Sequence, residues 1–328
     1  MTRIVVTGAG GFIGRALTAA LSCRPETVVV AADNNLRGSL ETLAERPNIR
    51  KVYCDVRDMT GVDELCRGAD IVFHLAAING TRNFYEMPGE VLEVGVIGAH
   101  NVLKASVLHR VGRVVLLSSS EVYNEAEVIP TPEGVQLRIP DVFNPRFSYA
   151  GSKIASELMA VNYLRSSATE FVIVRPHNVY GPAMGFDHVV PEIVKKIYAA
   201  TQRPVAGGRP TIEIEGTGEE TRAFMFIEDA IKAIELCAFA SASGEVYHIG
   251  TEEEVSIRGL VGEIARVVGK EVQVRAAGVR AGSTTRRCPD TSKLQRLGFV
   301  AGVPLEEGLR RTVRWYWEYF GKEGRWTS

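Results

Sequence analysis

Tyr149 and Lys153 stand four residues apart in Tyr149-Ala150-Gly151-Ser152-Lys153, a spacing that puts both on one face of a helix. A phenol with a pKa of about 10 is a poor base at neutral pH, but a lysine ammonium and an oxidised nicotinamide beside it both favour the phenolate. Such a pair can take a proton from a hydroxyl while hydride leaves the carbon that bears it. A run of hydroxyls, Ser118-Ser119-Ser120 followed by Glu121-Val122-Tyr123, could hold the reacting oxygen. Alone, Tyr-x-x-x-Lys describes many solvated helix faces and three serines cap many turns, so the surrounding elements must decide.

Short runs rich in β-branched residues at 3–7, 27–32, 51–54, 70–75, 113–118 and 170–174 predict strands. They alternate with helix-period segments at 12–22, 62–67, 91–109 and 149–166. The strands are almost continuously apolar, which implies burial on both faces, and the alternation predicts an α/β fold built on a doubly wound parallel sheet of Rossmann type. The serines then end a strand, at the carboxyl edge where such sheets bind ligands. After Arg175-Pro176, glycine, proline and charge become more frequent through 181–220, before a predicted helix at 228–240 and strand at 245–249 return to the sheet. The implied division is a nucleotide-binding domain over 1–178, completed by about 223–250, and a smaller, discontinuous C-terminal substrate lobe over 179–222 and 251–328.

The first βα turn, Thr7-Gly8-Ala9-Gly10-Gly11-Phe12-Ile13-Gly14, contains GxxGxxG. Gly8 permits a tight turn, Gly11 lets the backbone approach a pyrophosphate, and Gly14 allows close helix–strand packing, while the helix N-terminus offers N–H donors. Asp33 ends the second strand 19 residues beyond Gly14, where a carboxylate can accept from a ribose diol, with Asn34 and Asn35 in the same turn. Asp33 repels a 2′-phosphate, which favours NAD over NADP; Arg37 is the nearby cation that could reverse that preference. Asp55 and Val56, after the third strand, are candidates for the adenine wall.

With 328 residues, 45% hydrophobic, the chain has enough material for a large core. Its formal net charge of −1 supplies no global field for nucleic acid or an acidic membrane. The aromatic stretch at 311–320 lacks the positive surroundings of a nucleic-acid platform and is expected to dock as a capping helix. No apolar run approaches the roughly 18 residues of a membrane span. Cys23, Cys54, Cys66, Cys237 and Cys288 are scattered and lack metal-ligand spacing, so reduced thiols, no metal site and a cytoplasmic setting are expected.

Taken together, these motifs resemble the extended short-chain dehydrogenase/reductase family, in its NAD-dependent nucleotide-sugar epimerase, dehydratase and decarboxylase branch. The resemblance covers nearly the whole chain. It rests on TGAGGFIG at 7–14, Asp33, DVRD at 55–58, HLAA at 74–77, SSSEVY at 118–123, YAGSK at 149–153, RPHNVYGP at 175–182 and TRAFMFIEDA at 221–230. It implies that Ser119 is the catalytic hydroxyl, with Ser120 beside it and Glu121 a second acid/base. Tyr149 is then the base and Lys153 its orienting cation, and Leu75, Ala76, Ala77 and Pro176 line the cofactor site. Asn178, Arg222 and Arg287 would hold the substrate diphosphate and nucleotide, a UDP-sugar being favoured, and 188–191, including His188 and Val189, matches a substrate-side stretch. Asn79, Thr81, Glu121, His177 and His188 are expected to shape the sugar pocket. A homodimer through the helices at 91–109 and 149–166 is also implied. Gly95, in place of the usual cofactor-touching Asn, and Asn124, in place of a common Gly, depart from the pattern.

The reading that follows is oxidation of a sugar at C4, with Tyr149 taking the O4 proton. Return of hydride to the other face gives a 4-epimer; a C5 carboxylate would make a β-keto acid able to lose carbon dioxide. Dehydratases of the branch usually carry Asp–Glu where this chain has Ser120-Glu121. Epimerase therefore ranks first, uronate decarboxylase next and dehydratase below them. A non-catalytic NAD-sensing protein is the rival from another class, and the intact Ser119, Tyr149 and Lys153 set favours an enzyme.

Overall fold

The computed structural model describes residues 1–202, 209–278 and 284–323; the parts of the expected substrate lobe at 203–208, 279–283 and 324–328 lie outside the described residues. Seven strands form one parallel sheet: β1 (Thr2–Thr7), β2 (Thr27–Asp33), β3 (Ile49–Tyr53), β4 (Ile71–His74), β5 (Arg113–Leu117), β6 (Glu170–Pro176) and β7 (Glu245–Ile249). The spatial order is β7-β6-β5-β4-β1-β2-β3, so the winding reverses between β1 and β4, where Thr7 pairs with His74. The expected doubly wound Rossmann sheet is borne out.

Period-2 alternation assigns the faces. Ile4 and Val6 of β1 point into one core, shared with α1 (Phe12–Leu21) and α6 (Ile227–Ala240), while Val5 points into the other. That second core is covered by α2 (Met59–Cys66), a helical stretch α3 (Pro88–Leu108) and α4 (Ser148–Leu164). The first core runs on into α5 (Val189–Thr201), α7 (Ile257–Val267) and α8 (Leu305–Glu323), so one apolar body ties the sheet to the C-terminal part of the chain. There Thr221–Ala223 pairs with Glu254–Ser256 and with Arg286–Arg287, and Thr211–Ile214 pairs with Gln273–Ala276.

α3 departs from expectation in two ways. It starts at Pro88, and its 21 residues contain an 18-residue stretch of mean hydropathy 1.4, long and apolar enough to cross a membrane, although no such run was expected. It packs between α2 and α4, and more than half of its most apolar stretch is buried. Its Glu93–Ile97 turn is π-helical, and a Cβ on Gly95 would stand 2.4 Å from Ser152 Oγ and 2.5 Å from Ser152 Cβ. Gly95 thus lies where α3 meets α4 without a gap, which accounts for the missing Asn. Asn124 takes φ +52 and ψ −108, a conformation that glycine adopts freely, which fits the common Gly at this position.

Gly95→Ala is accordingly expected to destabilise the fold by about 1–3 kcal/mol through overpacking against Ser152. Chemical denaturation reads this directly; an unchanged midpoint would mean that the contact is soft.

Candidate active site

A cavity of about 710 Å³ opens at the carboxyl edge of the sheet, over the β1/β4 reversal. Gly8, at φ +72, presses the first turn so tightly on the end of β4 that a Cβ would stand 2.8 Å from the Ala76 nitrogen. α1 follows Gly11 with no side chain capping its first N–H groups and no acid in its first turn, which leaves those donors open to an anion. Phe12, Ile13, Gly14, Asn34, Val56, Leu75, Ala76, Ala77 and Pro176 join Gly8 and Gly11 around this half of the cavity.

Asp33, buried at the end of β2, accepts from the Gly10 N–H (2.9 Å) and the Asn35 N–H (2.7 Å). Those bonds fix the carboxylate and leave lone pairs for a ribose diol. Two expected neighbours stand back from the cavity. The Asn35 side chain accepts from the Leu40 N–H at 2.9 Å and shapes the loop instead. Asp55 is engaged by Arg57 (2.7 Å) and by Asn34 (3.0 Å); the Arg57 bonds outweigh burial and hold its carboxyl well below the usual range.

At the other end of the cavity, Tyr149 lies buried on the first turn of α4, stacked on Phe84 at 5.1 Å, with the Ser119 hydroxyl beside its phenol. Burial pushes its phenol well above the ordinary value, against the pull of Ser119 and of the Arg37 charge. Lys153 sits one turn on, its Nζ donating to the Leu117 carbonyl (2.6 Å) and lying 5.7 Å from the Tyr149 ring centre. Burial lowers its ammonium to about 8, and Glu157, a further turn on, opposes that. Ser119 also accepts from the Glu121 N–H (3.2 Å), capping the turn Ser120–Tyr123. Three hydroxyl and amine groups on α4 and the β5 end are thus brought to one wall.

Glu121 is ion-paired with Arg287 at 2.5 Å. Burial alone would raise the carboxyl; Arg287, with Arg146 and Arg222 beyond it, more than reverses that and holds it charged. Arg222 is not on the cavity wall. Its guanidinium donates to the carbonyls of Thr221 and Thr284 (2.7 Å each), which supports the Arg287 strand in register. Asn178 lines the cavity and donates to the Ala223 carbonyl (3.0 Å). Asn79, Thr81 and His188 also line it, and burial, then the Arg37 charge, brings the His188 imidazole down to about 4. Val189 opens α5 and packs into the core, while His177 is wholly buried beside His248 and lines no wall.

Several groups escaped the sequence reading. Phe84 sits on a six-residue helix, Thr81–Glu86, too short to carry a periodic signal. Arg146 lies in the turn Pro145–Phe147, three residues before Tyr149, a proximity that could have flagged it. Trp315 and Tyr319, stacked at 5.4 Å, line the cavity mouth, so α8 does more than dock. Arg37 points away from the ribose carboxylate, toward Gly80 and Asp187, and so does not read a 2′-phosphate there.

Residues 4–250 match the model of the NAD dependent epimerase/dehydratase family. The chain belongs to that family. It is 30% identical over 324 residues to the UDP-N-acetyl-alpha-D-glucosaminuronate decarboxylase of Bacillus cytotoxicus, covering 96% of this chain and 98% of that protein. Among solved structures, the dTDP-glucose 4,6-dehydratase of Streptomyces venezuelae with NAD bound superposes with a TM-score of 0.85 at 30% identity, covering 98% of both chains. The UDP-glucose 4-epimerase of Thermotoga maritima matches the fold with a TM-score of 0.86 at 24% identity, over 97% of this chain and all of that one. The family member described here is an NAD-dependent enzyme of the nucleotide-sugar epimerase, dehydratase and decarboxylase class. The open helix terminus, the fixed Asp33 carboxylate and the Ser119, Tyr149 and Lys153 wall fit NAD.

Because the Lys153 ammonium is held below about 8 and lost above, kcat is expected to decline as pH rises through that value. Glu157 is the charge that holds it up. In Glu157→Gln the decline should therefore begin at lower pH, while Arg175, left buried without its partner, costs about 3–5 kcal/mol of stability. Paired kcat–pH profiles and denaturation curves test this, and a fall in stability with an unmoved alkaline limb would make Glu157 merely structural.

Proposed function

We propose that the protein is a nucleotide-sugar 4-epimerase that works through a transient 4-keto sugar with internal hydride return. The observation that carries this reading is the Glu121–Arg287 pair. A carboxylate kept charged by a guanidinium 2.5 Å away is a poor proton donor to a leaving hydroxyl, so elimination of water lacks its acid. What remains is chemistry that begins with reversible oxidation at one carbon and needs no acid for a leaving hydroxyl, of which return of the hydride is the simplest outcome.

Bound NAD supplies the hydride acceptor and, on return, the donor. Tyr149 takes the O4 proton as C4 is oxidised and gives it back on reduction. Ser119 holds the same oxygen, and Lys153 orients the site and stabilises the phenolate charge. Gly8, Gly11 and Asp33 position the cofactor. Asn178 and Arg287, with Arg222 behind, take the diphosphate of a nucleotide sugar, UDP-linked by preference, in a lobe formed by 179–222 and 251–328. Planar guanidinium forks suit phosphate oxygens.

A second reading, decarboxylation of a nucleotide uronate after the same oxidation, is favoured by the same ion pair together with buried Ser120. A relative 30% identical carries a uronate decarboxylase name. A homodimer is supported by exposed Leu92, Ile97 and Leu158 on the outer faces of α3 and α4; sedimentation should give twice the chain mass.

Incubation with UDP-glucose, UDP-glucuronate, their N-acetyl forms and the dTDP, GDP and CDP counterparts, followed by mass spectrometry and NMR, should yield a 4-epimer of unchanged mass that retains deuterium placed at C4. Carbon dioxide would select the second reading, a 4-keto-6-deoxy product would restore dehydration, and no product with NAD bound would favour a sensor. Tyr149→Phe should lose about 10²- to 10⁴-fold in kcat while still binding NAD.

A further inference from the structure

Among the described residues that line the cavity, Arg37 is the cation without a hydrogen-bond acceptor. Arg15 donates to the Ala183 carbonyl, Lys153 to that of Leu117, and Arg287 to Glu121. Arg37 has only Asp187, at 4.0 Å, which is too long for a hydrogen bond. Its side chain is 27% exposed, so a guanidinium with five donors meets no protein acceptor within hydrogen-bond distance and keeps only part of its contact with water.

Both ends of this side chain bear on where its partner belongs. Arg37 adjoins Gly38, which packs so closely on the glycine turn that a Cβ there would stand 2.0 Å from the Gly10 carbonyl oxygen and 2.7 Å from the Gly11 nitrogen. Its root therefore lies beside the glycine turn that leads into α1. The tip reaches the opposite wall, with Nη1 3.1 Å from where a Gly80 Cβ would be and Nη2 3.5 Å from that of Gly185. Two glycines face the guanidinium: a side chain at Gly80 would press on it, and one at Gly185 would come into contact with it. The arginine spans the cleft from the cofactor turn to the loop that carries Asp187.

A dinucleotide diphosphate brings two negative charges to that cleft. The α1 terminus answers with N–H groups and about half a positive charge, leaving most of the charge uncompensated in a partly buried place. A planar guanidinium is the group whose geometry and charge complete such a site.

We propose that Arg37 closes over the diphosphate of bound NAD from the side opposite the glycine turn, anchored across the mouth by Asp187, so that the cofactor stays on the protein between turnovers. The role is independent of which sugar is processed and goes beyond the epimerase reading.

The test uses the full chain loaded with radiolabelled NAD and chased with excess unlabelled NAD, no sugar being present. Arg37→Ala should speed release by about 10- to 100-fold, the range expected for loss of charge-assisted hydrogen bonds, and Arg37→Lys by less, since it keeps the charge and loses the fork. ADP-ribose should bind Arg37→Ala correspondingly more weakly, whereas adenosine, which lacks the diphosphate, should bind as before; thermal melting confirms that the variants are folded. A release rate within twofold of the unaltered protein overturns the proposal. So does an equal loss of adenosine affinity, which would indicate collapse of the loop around Asp33. If NAD release is unchanged while sugar turnover falls, the guanidinium serves the sugar and the proposal fails, with the epimerase reading intact.

Discussion

One buried ion pair sets where the chemistry can happen. Glu157 on α4 meets Arg175 on β6 with both side chains almost wholly withdrawn from water, Nε to Oε1 at 2.9 Å and Nη2 to Oε2 at 2.6 Å. A paired fork of this kind fixes direction as well as distance. It ties the helix that presents Tyr149 and Lys153 to the central sheet at a defined rotation. Arg175 continues to the Tyr123 hydroxyl (2.5 Å), and Tyr123 to His248 (2.6 Å) on β7. The turn that carries Ser119, the helix that carries Tyr149 and the outer strand are thereby held by one polar chain. Breaking any link would leave a buried charge or hydroxyl alone, so the arrangement resists small displacements.

Electrostatics then divides the cavity into two unequal halves. The cofactor half has few fixed charges, chiefly Asp33 and the helix terminus of α1, and Arg37 reaches across it. The substrate side concentrates Arg146, Arg222 and Arg287 around Glu121. Burial brings the Arg222 guanidinium down to about 10, with Arg287 beside it adding to the effect, a cost that an incoming diphosphate would relieve. Glu121 neutralises part of that cluster and in doing so gives up its proton. One carboxylate thus both moderates the positive field and narrows the reactions open to the site.

Much of this was legible in the sequence because it depends on local patterns. Apolar runs of β-branched residues fixed β1, β2 and β5 to within a residue or two, and the GxxGxxG turn, Asp33 and Tyr-x-x-x-Lys each state their geometry in a few neighbouring positions. Phe84, the reach of Arg37 toward Asp187 and the cavity-facing placement of Trp315 and Tyr319 were not legible, since they come from contacts between segments far apart in the chain. Arg222 and Arg287 show the limit from another direction. Both were singled out as phosphate ligands, but the partners they hold in the folded chain, backbone carbonyls for one guanidinium and Glu121 for the other, come from pairing across two short strands. Registry between strands of two or three residues has no signature in composition.

Gly95 shows why a departure from a family pattern can be structural. An asparagine there would need space that Ser152 already fills, so the chain gives up a side chain on the cofactor wall for direct contact between α3 and α4. The π-helical turn at Glu93–Ile97 widens α3 at that point, and Glu93 from the same turn reaches Arg57 (3.0 Å), the residue that holds Asp55. The bulge therefore couples the α4 contact to the loop beyond β3. A change of one residue on α3 can act on both ends of the cavity, on Tyr149 through Ser152 and on the Val56 wall through Arg57, without touching either ligand.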